Sequence, residues 1–184
     1  NKVILGTRAR KTRTKSFNAF SSIDYPETAM FRDRRLIQFL QRPAEYTHAV
    51  FSTALDPNVF VLRLVPGMRA DIIPMVGGRY RALVLESFGV GGLPGGDDGA
   101  MFAAVRDWCG AGHLAVFTTQ VPHEGSDLAV YEVGRAAKAL PGVLEAHDMT
   151  PEATAVKLMW VLGQTTDRAE AEKLFLTPVQ WDIL

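Results

Sequence analysis

Ala82-Leu83-Val84-Leu85 is an uninterrupted apolar run between Arg81 and Glu86, and it decides the fold class of this chain. A strand in which every side chain is apolar is typical of a parallel sheet covered on both faces, whereas a half-solvated strand alternates. Two further apolar runs lie on either side of it along the chain, Val59-Phe60-Val61-Leu62-Arg63-Leu64 and Leu114-Ala115-Val116-Phe117. We predict that the three runs form a parallel sheet.

Helix signals alternate with these runs. We predict one helix over 66–76, a second that begins after Asp97 or Asp98, and a third over 128–140. Gly142-Val143-Leu144 is too short to predict a fourth strand. The residues that share the i, i+4, i+7 spacing of a buried face on the second helix are Met101, Val105 and Trp108.

Two more helix starts are marked near the end of the chain. Thr150-Pro151-Glu152 combines a cap, a first-turn proline and an acid near the positive end of the helix dipole. Asp167 and Glu170 have the spacing of a capping box. Because alternating strands and helices favour parallel order with right-handed crossovers, residues 57–184 are predicted to form a small three-layer, flavodoxin-like α/β domain.

Residues 1–40 carry a different pattern, which we interpret as the tail of an amino-terminal α/β domain. The predicted elements are a strand over 2–6, an ordered loop over 7–28 and a hairpin of strands 29–31 and 35–40. A short helix is the alternative to that hairpin. Residues 41–56 are predicted to be a linker into the second domain.

Lys11 comes after the first apolar run, Val3-Ile4-Leu5. Open α/β sheets build their sites outside the carboxyl ends of their strands, so a lysine at this place is a candidate catalytic residue. Because the sequence begins at that strand, we predict that the chain is the back half of a larger protein. The upstream part would supply the remaining groups of the site.

Composition and charge exclude several classes of protein. The 47% hydrophobic and 22% charged residues are typical of a soluble globular domain, and no apolar run approaches the ~20 residues of a membrane span. Ten basic and three acidic residues give 1–42 a formal charge of +7, which leaves −7 on the rest. No stacking aromatics interleave with these arginines, so the pattern favours an acidic protein surface over nucleic acid as the partner.

Metal and thiol chemistry are not indicated either. Cys109 is the single cysteine, which excludes an intrachain disulfide framework and favours a reducing compartment. Its place beside Trp108 predicts a small core residue rather than a nucleophile. We predict no metal site, because the four histidines show neither i, i+4 spacing nor a cysteine cluster: His48, His113, His123 and His147.

Several longer motifs occur in order along the chain. They are Gly6-Thr7-Arg8-Ala9-Arg10-Lys11-Thr12, Phe20-Ser21-Ser22, Tyr25-Pro26, Glu86-Ser87-Phe88-Gly89-Val90-Gly91, Thr119-Gln120, Tyr131-Glu132-Val133-Gly134 and Asp148-Met149-Thr150-Pro151-Glu152-Ala153-Thr154. Together they resemble the bacterial-type L-asparaginases, most closely the type I, cytoplasmic branch. The resemblance implies two α/β domains, of which this chain carries the end of the first and all of the second. It also implies a cytoplasmic location and no cofactor.

The chemistry implied by this resemblance is hydrolysis of the side-chain amide of L-asparagine to L-aspartate and ammonia. A threonine hydroxyl attacks the amide carbon, and a second threonine, an aspartate and a lysine relay the proton. Lys11 matches that lysine, whereas the threonines and the aspartate have no counterpart in this chain. We therefore predict that the chain alone, without its missing amino-terminal half, is inactive.

The resemblance further implies a homo-oligomer, a dimer or tetramer, in which loops of one subunit close over the substrate of another. Gly91 and Gly92 match one such loop, and many members carry asparagine in the place of Gly92. Glu124 and Asp127 are candidates for an acidic group given to the partner subunit. Thr119 matches one residue of a regulatory asparagine site found in some type I members.

Two departures from the family pattern bear on that regulatory site. Val121 stands where a cysteine occurs, and Glu86 stands where an arginine occurs. Because an arginine is the natural partner of a substrate carboxylate, we predict that the regulatory site does not work in this protein.

Two other functions stay open. In the first, the chain belongs to a related amidohydrolase of the same family, which acts on glutamine or supplies ammonia for tRNA-dependent amidation. A long amino-terminal extension upstream of the first domain would favour such an amidotransferase subunit. The second alternative is a non-catalytic α/β module that binds an anionic small molecule at its strand-end loops.

Overall fold

A computed structural model of the chain describes residues 1–41, 51–94 and 98–184. Its first part consists of short antiparallel strands: β1 (Lys2–Val3), β2 (Ala9–Lys11), β3 (Phe20–Ser22), β4 (Ala29–Arg32) and β5 (Arg35–Gln38). Strands β1, β4 and β5 form one sheet, and β2 and β3 form a separate ribbon. The predicted hairpin is confirmed as β4 and β5. Asp33 and Arg34 form its two-residue turn, both with positive φ, as the twist of paired strands favours.

Two sequence predictions in this first part are wrong. The strand predicted over 2–6 ends at Val3 and is followed by a 3-10 turn, Gly6–Arg8. The loop predicted over 7–28 contains the β2–β3 ribbon. These two strands are three residues long and mostly polar, so they carry no alternating apolar pattern that could be read from the sequence.

The second part is built on a parallel sheet of β6 (Val59–Arg63), β7 (Ala82–Ser87), β8 (Leu114–Thr119) and β9 (Val143–Glu145), hydrogen-bonded in that order. All three apolar runs are confirmed as strands. The sheet gains β9, whose three residues were too few to predict from the sequence. It pairs with β8 from Val143 opposite Ala115 to Glu145 opposite Phe117.

The helices cover both faces of this sheet. They are α1 (Ile72–Val76), α2 (Ala100–Gly110), α3 (Glu132–Lys138), α4 (Pro151–Gln164) and α5 (Arg168–Leu176). Leu83 and Leu85 of β7 pack with α1, α2 and α3, whereas Ala82 and Val84 pack with α4 and α5. This arrangement confirms the three-layer α/β class. The predicted inner face of α2 is buried, at Met101, Val105 and Trp108.

The helix starts agree with the sequence where a side chain caps the helix. The Thr150 hydroxyl accepts a hydrogen bond from the backbone N of Ala153 at 3.1 Å, and Asp167 caps α5 in the same way. The Asp98 cap predicted for α2 is wrong, because Gly99 occupies that position with φ 80 and no side-chain bond. The other candidate, Asp97, lies outside the described residues.

Two helices are shorter than predicted. Helix α1 begins at Ile72 rather than at 66, after a turn in which Gly67 has φ 78. Helix α3 covers Glu132–Lys138 rather than 128–140. Of the predicted linker 41–56, residues 42–50 lie outside the described residues. Within the described part, no helix combines the length and apolar character needed to cross a membrane.

Candidate functional site

Three connections meet at the carboxyl edge of the parallel sheet. They are the loops after β7 (88–94), after β8 (120–131) and after β9 (146–150). The backbone N of Asp127 donates to the Val90 carbonyl at 2.6 Å, and the N of Ser126 donates to the His147 carbonyl at 2.8 Å. The loop after β8 is therefore bonded to both of its neighbours, and the edge is one connected surface.

The segment that carries Lys11 is attached to this edge. Asp24 accepts a hydrogen bond from the backbone N of Glu124 at 3.1 Å and lies 3.1 Å from Nδ1 of His123. Arg10 lies 3.6 Å from Glu152, in the first turn of α4. The ribbon of β2 and β3 thus lies beside the strand-end loops. No motif or spacing in the sequence indicates the contacts of Asp24.

Arg8 is the main anchor of this segment, and its side chain is 0% exposed. Its Nε donates to the Trp181 carbonyl at 2.5 Å, and its Nη1 donates to the Asp148 carbonyl at 2.9 Å. Nη1 also lies 2.8 Å from Oδ2 of Asp148. The guanidinium lies over the ring of Tyr25, 5.6 Å from its centroid. The motif containing Arg8 is visible in the sequence, but this structural role is not.

Lys11 ends β2, opposite Phe20, and its side chain is exposed. It forms no salt bridge with any residue that the structure describes. Lys11 does not lie directly at the end of the first strand, because β1 stops at Val3 and the 3-10 turn Gly6–Arg8 lies between β1 and β2.

Gly91 and Gly92 differ in their surroundings. Gly91 is buried with φ 137, and a Cβ added to it would lie 2.8 Å from Cδ2 of Leu128. A Cβ on Gly92 would meet no described atom within 4 Å. Gly91 therefore lets the loop pack closely, whereas a Cβ at position 92 would not be crowded by any part of the chain that the structure describes.

The two candidate acids are both exposed but are used differently. Oδ1 of Asp127 accepts a hydrogen bond from the backbone N of Ala129 at 2.9 Å, so this carboxylate closes its own turn. Glu124 has φ 77, and its backbone is held by Asp24. Among the described residues, the side chain of Glu124 has no hydrogen-bond or salt-bridge partner. Glu124 is therefore the freer of the two carboxylates.

Thr119 lies at the end of β8, and its hydroxyl is engaged inside the protein. It donates to the Gly89 carbonyl and accepts from the backbone N of Val121 at 3.0 Å. Glu86 lies 3.8 Å from Nη1 of Arg63. These contacts give Thr119 and Glu86 structural partners, and the predicted loss of the regulatory site stays a prediction.

Cys109 lies on the buried face of α2 and is part of the core, as predicted, with 2% of its surface exposed. Burial raises the pKa of its thiol to about 11. A pKa of 11 leaves on the order of 0.1% thiolate at pH 8. The described residues also contain no group of three histidine, cysteine or acidic side chains arranged to hold a metal ion.

We expect the folded chain to give no reaction with a disulfide thiol reagent at pH 8 over an hour, and one equivalent in denaturant, where the ordinary thiol pKa returns. The thiol pKa is about 11 in the folded chain and about 9 in the unfolded chain, so the unfolded chain ionises first as the pH rises. The thiol's contribution to the free energy of unfolding is therefore fully present below pH 9 and is lost as the pH rises from 9 towards 11. Cys109→Ser, which has no thiol, is the blank for the reagent. Rapid labelling of the folded chain would contradict the buried position.

Comparison with known proteins agrees with this architecture. The model of the glutaminase/asparaginase C-terminal domain matches residues 58–175. An L-asparaginase of Thermococcus kodakarensis is 39% identical over 175 residues, which cover 95% of this chain and 52% of that protein. A glutamyl-tRNA(Gln) amidotransferase subunit of Metallosphaera sedula is 32% identical over 178 residues, which cover 94% of this chain and 39% of that protein.

A solved structure gives the same result. The thermostable L-asparaginase from Thermococcus kodakarensis superposes with a TM-score of 0.93 and 36% identity, covering 100% of this chain and 55% of that one. The chain spans about half the length of the L-asparaginase relatives that it matches. Since the domain model covers more than half of the sequence, the chain belongs to the glutaminase/asparaginase C-terminal domain family.

Proposed function

We propose that this chain is the carboxyl-terminal part of an L-asparaginase, which hydrolyses L-asparagine to L-aspartate and ammonia. In this proposal Lys11 is the lysine of a Thr-Asp-Lys relay whose threonines and aspartate lie upstream. The observation that carries it is the position of Lys11: the ribbon is anchored at the strand-end loops by Arg8 and Asp24, while the Lys11 side chain is exposed.

A lysine suits this task for physical reasons. Its compact charge can lie among several oxygens and hold an adjacent carboxylate in the ionised form. Beside a threonine hydroxyl, it favours removal of the hydroxyl proton and so activates the oxygen as a nucleophile. The Lys11 side chain has no competing salt bridge within the described residues that would have to be broken first.

The surface of residues 1–40 supports an amino-terminal half as their partner. Large apolar side chains on this segment are exposed, namely Phe17, Phe20, Phe31, Leu36, Ile37, Phe39 and Leu40. Monomeric proteins rarely leave so many apolar residues together in water. We therefore propose that 1–40 completes a first, catalytic domain, that 41–56 links the two domains, and that 57–184 is the second domain.

The second domain is proposed to act in a homo-oligomer, a dimer or tetramer. Glu124 is the better candidate for the acidic group given to a partner's site, because Asp127 closes its own turn. Position 92 has room for a substrate atom, whereas Gly91 serves the packing of the loop. The buried, protonated thiol of Cys109 is compatible with the reducing cytoplasm, which we propose as the location.

The 184-residue chain on its own is expected to release no ammonia from L-asparagine, because it lacks the proposed nucleophile. The same chain joined to its upstream half is expected to release ammonia, measured by a coupled dehydrogenase assay. Far-UV circular dichroism of the short chain is the control that it is folded. Ammonia release by the short chain would refute the proposed division of the site.

A second candidate function is that of an amidotransferase subunit, which the 32% identity to the Metallosphaera sedula protein supports. The two candidates differ in substrate. The full-length protein should release ammonia from asparagine faster than from glutamine, and without tRNA, if it is an asparaginase. Ammonia production that requires a partner subunit and tRNA would favour the amidotransferase.

A further inference from the structure

We infer that Glu145 is a positioning residue, whose carboxylate holds the loop after β7 and the loop after β8 together as one unit. This inference rests on the proposed function, since these are the loops that carry Gly92 and Glu124. Glu145 is the last residue of β9, at the carboxyl edge of the sheet, and only 5% of its surface is exposed.

Both oxygens of this buried carboxylate have partners. Oε1 accepts a hydrogen bond from the backbone N of Leu128 at 2.6 Å, and Oε2 accepts one from Nζ of Lys138 at 3.0 Å. The other titratable group near it is His147, whose Nδ1 lies 3.9 Å from Oε2. Lys138 and His147 are about half exposed and can turn to water, but the N–H of Leu128 cannot.

Leu128 is the point at which the two loops meet. Its side chain is fully buried and lies against Gly91 so closely that a Cβ at that glycine would collide with it. Its carbonyl leaves no room for a Cβ on Gly134 of α3. The preceding residue, Asp127, donates its backbone N–H to Val90 at 2.6 Å. Fixing the backbone of Leu128 therefore fixes the loop after β7 as well.

The hydrogen bond between Leu128 and Glu145 also determines where the candidate substrate-binding residues, Gly92 and Glu124, lie. Glu124 is four residues before Leu128 in one loop, and Gly92 directly follows the contact residue of the other. Without an acceptor for its N–H, Leu128 would have to rotate or leave its buried position, because an unpaired buried N–H is unfavourable. Both loops would then lose the register in which they face a partner's substrate.

Hydrogen exchange on the 184-residue chain tests the hydrogen bond from Leu128 N to Glu145 Oε1, which we call the clamp. This test does not require activity. In Glu145→Ala, the Leu128 amide should exchange about 10- to 100-fold faster than in the wild type. Glu145→Gln keeps an acceptor oxygen, and Lys138→Met removes only the exposed ion pair, so both should stay within about threefold. Unchanged exchange in Glu145→Ala, or equal acceleration in Glu145→Gln, would overturn the inference.

Kinetics of the full-length protein test the positioning role. Glu145→Ala should raise KM for asparagine about tenfold while kcat changes less than threefold, and Glu145→Gln should restore most of the loss. An unchanged KM in Glu145→Ala would show that the clamp does not position substrate. Absence of turnover by the wild type would refute the proposed function instead, and the exchange experiment would still decide whether the clamp exists.

Discussion

In the proposed full-length L-asparaginase, replacement of Lys11 by methionine is expected to lower kcat for asparagine hydrolysis by about 10²- to 10⁴-fold, the range of a lost acid–base group. KM should change less than threefold, because a relay lysine acts on the nucleophile rather than on substrate binding. Ammonia release under saturating asparagine measures the first quantity, and its dependence on asparagine concentration measures the second.

The stability of the Lys11→Met chain is the control for this prediction. Lys11 is exposed at the end of β2 and makes no described salt bridge, so its loss should change the free energy of unfolding of the 184-residue chain by less than about 0.5 kcal/mol. Lys15→Met removes another exposed lysine, which lies between β2 and β3, and should leave kcat unchanged. A Lys11→Met enzyme with near wild-type kcat would remove Lys11 from the proposed relay.

The parallel-sheet part of the chain, from β6 to α5, was predictable because its sequence signals are long or local. The apolar run at 82–85 indicates a doubly covered strand without reference to any other part of the chain. The cap at Thr150 works within four residues, so the sequence alone contains its whole geometry. The strand β9 was not predictable, since three residues show no period and its existence depends on pairing with β8.

The site was predictable only in part, for the same reason. Lys11 lies in a long motif, and a motif can be recognised without knowing what surrounds it. Glu145 and Asp24 act on backbone N–H groups that are 17 and 100 residues away in sequence. No spacing rule connects such residues, because their distance depends on how the whole sheet is assembled. Their roles required coordinates.

Arg8→Met should destabilise the 184-residue chain by about 3–5 kcal/mol, the cost of removing one partner from a buried ion pair. The guanidinium satisfies the carbonyls of Asp148 and Trp181, and methionine can bond to neither. Asp148 would lose its 2.8 Å ion-pair partner while remaining mostly covered. Urea unfolding followed by tryptophan fluorescence measures this difference, with the exposed Arg13→Met as the matched control.

The expected loss of stability in Arg8→Met is large because several parts of the chain meet at the Arg8–Asp148 ion pair. Arg8 belongs to the segment that carries Lys11, Asp148 belongs to the turn after β9, and Oδ1 of Asp148 accepts the backbone N of Leu184 at 3.1 Å. Arg8→Lys keeps the charge but lacks the planar fork that reaches two carbonyls, so an intermediate loss of stability is expected. If Arg8→Met unfolded at the same urea concentration as Arg13→Met, the anchoring of the Lys11 segment would have to come from Asp24 and Arg10 instead.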